Sequence, residues 1–137
     1  MNKMKRCAPW LLAAYIAFVF VQSLFFKFSA AQESVYIFQT IEDWLGLGFF
    51  EPGMRLVIGA LELVAAILLF TPGFQIFGAL LSLGVISGAI FFHLFSPLGI
   101  EVQGDGGTLF YMAVGVWGFA MVLVFIYKEQ ILKYFKR

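Results

Sequence analysis

Four apolar blocks, residues 9–28, 54–70, 74–95 and 109–127, constrain this chain more than anything else in it. Each is close to the roughly 20 helical residues that cross a hydrocarbon layer of about 30 Å. Of the 137 residues, 62% are hydrophobic and 12% charged, far from the roughly 45–50% apolar and 25% charged of a soluble domain. The predicted fold is all-α and integral to the membrane. It is one domain over 1–137, a four-transmembrane-helix bundle with spans at about 9–28, 54–74 (counting the turn that follows it), 74–95 and 109–127.

The charges set the expected orientation. Lys3, Lys5 and Arg6 precede the first span, and Lys128, Lys133, Lys136 and Arg137 follow the last. The connections after spans one and three hold Glu33, Glu42, Asp43, Glu51, Glu101 and Asp105, against Lys27 and Arg55 at their borders. The positive-inside rule then places both termini in the cytoplasm and the acidic connections outside an inner, cytoplasmic membrane. A cleaved signal peptide competes for the first span, since "MNKMKR" is a basic leader and "FSAAQ" offers small residues, but the apolar block is longer than a usual leader's. The single cysteine, Cys7, excludes an internal disulfide or a CxxC redox pair. The net charge of +1 carries no information on nucleic acid, which is not among the expected partners.

Between spans one and two, Val35, Phe38, Ile41 and Leu45 recur at helical spacing, opposite Gln39, Glu42 and Asp43. This predicts a short extracytoplasmic amphipathic helix at the interface, with Trp44 as an anchor. Ser29 and Gln32 fit a capping box at its start, and Gly46 and Gly48 a stop at its end. Pro52 suits the first turn of span two. Gly84 and Gly88 form a GxxxG pair that predicts close helix approach in span three. Asp105 or Thr108 is a candidate N-cap for span four. The tail "KEQILKYFKR" is suited to lying on anionic lipids.

"VIGALELVAAILLF" carries one carboxylate, Glu62, in otherwise apolar surroundings. Intramembrane ionisable groups face the protein interior and pair. Candidate partners are Lys27 at the end of span one, Gln22 within it, Arg55 seven residues earlier on the same helix face, and His93 near the end of span three. All fall in the outer half of the bundle. The expected arrangement is a cleft walled by Phe26, Phe91, Phe92 and Leu63 and roofed by the 33–45 helix. Glu62 and His93 form its floor and Lys27 its mouth. The alternative is a structural pin, Glu62 and a cation tying two helices together.

The elements "FFKF" at the end of span one, "GALELVAAILLF" in span two and "FFHLF" at the end of span three resemble the DoxX-like family of small membrane proteins. The resemblance covers nearly the whole chain and rests on Lys27, Gly59 with Glu62, and His93. It implies a four-helix bundle with cytoplasmic termini and, in some relatives, a role as the membrane subunit of a thiosulfate:quinone oxidoreductase. The cysteine-dependent redox roles of related groups do not fit a chain whose only cysteine is Cys7. Two function classes follow. One is a quinone-facing membrane subunit in which Glu62, His93, Lys27, Arg55 and Gln22 form the head-group and proton-exchange site, histidine being the side chain suited to proton exchange. No intrinsic cofactor is expected, so a soluble or membrane redox partner subunit would supply electrons. The other is a non-enzymatic scaffold, assembly factor or lipid- and partner-binding protein. Membrane lipid, quinone and a second copy of the chain complete the expected partners.

Overall fold

The computed structural model describes the backbone of residues 3–135 and the side chains of residues 7–133. Lys3, Lys5, Arg6, Lys136 and Arg137, on which the orientation argument leans, lie outside the described side chains. The described residues form helices and turns, with no strand. The helices are α1 (Lys3–Phe28), α2 (Gln32–Leu45), α3 (Arg55–Leu69), α4 (Gln75–Phe95) and α5 (Thr108–Phe135), with a π-helical turn at Phe50–Met54 leading into α3. Four segments are long and apolar enough to cross a membrane: Cys7–Phe28, Phe50–Leu69, Gln75–Phe95 and Thr108–Lys133.

The apolar segment of α3 reaches back to Phe50 through the turn that holds Pro52, a turn kinked at Glu51 (φ −111°, ψ 119°). It stops at Leu69, where Phe70, Thr71 and Phe74 turn the chain back into α4. Helix α5 runs on past 127. The sequence 128–135 extends the same helix instead of turning aside as a separate surface element.

The capping box is absent. Ala31 is the N-cap of α2 and makes no side-chain bond, while Ser29 Oγ donates to Phe26 O. The reason is that this segment is used to finish α1. Ala30 takes φ 55°, Ala31 N donates to Phe26 O and Ala30 N to Lys27 O, the pattern that satisfies the last carbonyls of a helix. Gly46 ends α2 in the left-handed conformation at φ 72°, as its position predicts.

Helix α1 packs against α3 and α5, and α4 packs against the same two, so the four long helices close into a ring. Apolar side chains fill two separate cores. The larger, with Ile16, Phe20, Ala65, Leu69, Ala79, Val116 and Leu123, occupies the middle of the bundle and the end with the α3–α4 turn. The smaller, with Phe38, Ile41, Phe50, Leu98 and Val102, joins α2, the π turn and the α4–α5 loop into a cap over the other end. Large apolar side chains also cover the outside, Leu11, Phe18 and Phe125 each being more than 60% exposed. The apolar exterior matches the length and apolarity of the four candidate spans.

Candidate functional site

The ionisable side chains of α1, α3 and α4 that line a cavity gather between the two cores. Gly59 makes this possible: a Cβ there would sit 2.9 Å from the Phe28 ring and 3.5 Å from Lys27 Cβ. Without one, the end of α1 lies on α3 and brings Lys27 to Glu62, one turn beyond Gly59. Lys27 Nζ is 2.8 Å from Glu62 Oε1 and also donates to Ser23 Oγ, one turn back on α1. Glu62 is 4% exposed. Its Oε1 is ion-paired but receives no hydrogen bond of acceptable angle, so this buried carboxylate oxygen still lacks an aligned donor.

Arg55 serves a different purpose. Its Nε donates to both carboxylate oxygens of Glu51 at 3.0 Å, and its Nη1 donates to Lys27 O. It thus occupies a carbonyl at the end of α1 and sits apart from Glu62. His93, 7% exposed, places Nδ1 2.8 Å from Gly99 O and meets Phe110 edge-on. A carbonyl only accepts, so Nδ1 carries the hydrogen and Nε2 of the neutral ring is the acceptor. Gln22 is exposed on α1.

Between the cores lies a cavity of about 870 Å³, within the range of small-molecule sites. Ser23, Lys27, Glu33, Ser34, Glu62, His93 and Asp105 gather its polar groups. Phe20, Leu80, Leu81, Val85, Ile86 and Met112 supply hydrocarbon wall. Lining positions on α4 run from Leu80 to His93, about 20 Å at 1.5 Å per residue. Lys27, His93, Glu62 and Gln22 all line it, and Arg55 does not. Phe26 and Phe92 are walls, and α2 contributes Ile37, Phe38 and Ile41 as a roof. Phe91 and Leu63 are not walls; they are 48% and 41% exposed, on the outer sides of their helices. In "FFHLF" successive residues turn by about 100°, so Phe92 and His93 face in and Phe91 faces out.

Gly84 and Gly88 do not mediate close helix approach. A Cβ on either would meet nothing within 4 Å, and both line the cavity, so their missing side chains are part of its volume. At the cap, Asp105 Oδ1 accepts from Val102 N and Gly107 N, and Oδ2 from Leu109 N. Partial burial alone would raise its pKa, but these three N–H donors, helped by His93, outweigh it and hold the carboxyl below its ordinary value. It caps the start of α5 from just outside the helix, while Thr108 Oγ1 donates to Asp105 O.

Ser23, Glu33, Ser34 and Glu51 were not among the expected site residues. Ser23 and Glu51 had a visible signal, each lying four residues before the cation it meets. Glu33 and Ser34 had none, since their roles depend on how α2 folds over the bundle. Comparison with family models, curated proteins and solved structures finds no match for this chain.

Proposed function

We propose that the four long helices cross an inner membrane with both termini cytoplasmic and the α2 end outside. In this reading the chain is a DoxX-like membrane protein whose cavity takes an amphiphile of the quinone class. The head group sits at Glu62, His93 and Lys27 and the tail lies along the apolar wall toward Leu80. One observation carries the reading: a cavity of about 870 Å³ with hydrocarbon walls, into which charged groups from α1, α3 and the end of α4 converge. A pin between two helices needs only Lys27 and Glu62, packed tightly and closed to ligand; it does not account for His93 or the space. Redox chemistry on the head group would require a partner subunit to exchange electrons with it.

The test is binding of a hydroquinone-type analogue, whose O–H groups can donate to Glu62 and His93, to the purified protein in detergent, compared among wild type, Glu62→Gln and His93→Ala. Loss of about tenfold in each variant is expected if each side chain makes a hydrogen bond with the head group. Equal affinity in all three would reject the head-group site and favour the scaffold reading, in which lipid or a partner helix occupies the space.

A further inference from the structure

At Glu62 and His93 the polar end of the cavity presents acceptors, and this bears on the oxidation state of the ring it would hold. Glu62 Oε1 is buried, lines the cavity and accepts no aligned hydrogen bond. His93 spends its Nδ1 hydrogen on Gly99 O, leaving Nε2 as an acceptor. Asp105 drops out, because both its oxygens are taken by backbone N–H groups. The donor side is Lys27, whose ammonium already donates to Ser23 and is drawn to Glu62. The Gln22 amide and the Ser23 and Ser34 hydroxyls, which also line the cavity, can each donate or accept and discriminate nothing.

We propose that the cavity prefers the reduced, dihydroxy form of a quinone-class ring over the oxidised form, with Glu62 Oε1 and His93 Nε2 as the acceptors for its O–H groups. The proposal rests on reading the cavity as a quinone-class head-group site. An oxidised ring presents only carbonyl oxygens. Set beside Glu62, a carbonyl oxygen repels the carboxylate and adds no donor to it. A ring hydroxyl donates to that oxygen and can still accept from the remaining N–H of Lys27, so the reduced form loses nothing that the oxidised form has. One hydrogen bond to a charged acceptor corresponds to about tenfold in affinity or more.

The experiment uses the full chain in detergent under anaerobic conditions, with a short-tailed benzoquinone and its hydroquinone as probes. The hydroquinone is expected to bind wild type about tenfold or more tighter. Such a preference raises the midpoint potential of the bound two-electron couple by about 30 mV per tenfold, an independent reading on wild type alone. In Glu62→Gln the side-chain amide offers an N–H to a carbonyl, and the preference is expected to fall toward unity. Quinone binding as tightly as hydroquinone, no rise in potential, or a full preference retained in Glu62→Gln overturns the proposal while leaving the site itself standing. Neither form binding wild type overturns both the proposal and the reading beneath it.

Discussion

At the end of the bundle with the α3–α4 turn, Gly78 of α4 lies on the backbone of α3, where a Cβ would come within 2.6 Å of Leu69 N. At the α2 end, Gly84 and Gly88 of the same helix meet nothing within 4 Å. The polar groups divide in the same way. At the turn, Gln130 Nε2 donates to Gln75 Oε1 at 2.8 Å, Gln130 Oε1 accepts from Ile76 N at 3.0 Å, and Gly73 N donates to Gln75 Oε1 at 2.8 Å. A glutamine both donates and accepts, so two of them close a network with the backbone. Glu62 has only acceptors and one cation beside it, and its Oε1 stays short of an aligned donor. One end is assembled to be shut. The other keeps volume and unsatisfied hydrogen-bonding capacity, the combination a ligand requires.

The largest effect tests whether the Lys27–Glu62 pair is integral to the α2 end. Glu62→Leu leaves the Lys27 ammonium, 12% exposed, without its carboxylate. Removing one partner of a buried pair costs about 3–5 kcal/mol. Glu62→Gln keeps the shape and an acceptor, and should cost less than about half as much, in line with the modest worth of polar contacts within membranes. Unfolding of the two variants in detergent decides it; equal stability of Glu62→Leu and wild type would mean that Lys27 finds its own way to water.

Next comes Gly78→Ala. Its Cβ would fall 2.6 Å from Leu69 N and 3.1 Å from Ala65 O, backbone atoms that cannot rotate aside, so α4 and α3 must separate. Overpacking of this kind costs about 3 kcal/mol, read as a lowered unfolding midpoint in detergent. The contrast with Gly84 and Gly88 also marks where the sequence stops being readable. The four spans were legible because a run of about 20 apolar residues admits few other fates. That Glu62 has a partner was legible because a lone carboxylate in hydrocarbon requires one, but its choice of Lys27 among four candidates was not. The spacing of Gly84 and Gly88 identified a small-residue face but carried no information on what lies opposite, which turned out to be empty volume. Ser29 looked like the cap of α2 because composition does not say which of two adjoining helices a turn residue serves. Arg55 was placed beside Glu62 by helical phase, and Glu51, four residues before it and within the π turn, claimed it instead.

At the closed end, Gln130→Leu removes the acceptor of Ile76 N and the donor to Gln75. Leaving Ile76 N unpaired should cost about 2 kcal/mol, detectable as a lower unfolding midpoint with ligand affinity unchanged. If affinity fell in step, the two ends would be coupled and the contrast between them would be wrong. In the cap, Asp105→Ala removes the acceptor of three backbone N–H groups and should cost about 1 kcal/mol at neutral pH. The folded pKa of Asp105 lies below the ordinary 3.8, so its contribution is complete above that value and is lost as the pH falls through the lowered one. Acid titration of both proteins should therefore show their stabilities converging below pH 3.8, and a constant gap would mean that the carboxylate is not the stabilising species.

The smallest effect has the opposite sign. Gly84 sits inside α4, where glycine is less favourable than alanine by roughly 0.5–1 kcal/mol because it leaves the unfolded chain more freedom. An alanine Cβ there meets nothing within 4 Å, so no clash offsets that gain, and Gly84→Ala should raise stability by about that amount. The same methyl group projects into the cavity, whose wall includes Gly84. If the space exists to hold a hydrocarbon tail, the stabilised variant should bind a long-tailed quinone analogue more weakly while a short-tailed one is unaffected. Stability gained with no change for either analogue would mean that the volume beside Gly84 is not occupied by ligand. A loss of stability would mean that another helix does approach there, and that Gly84 resembles Gly78 after all.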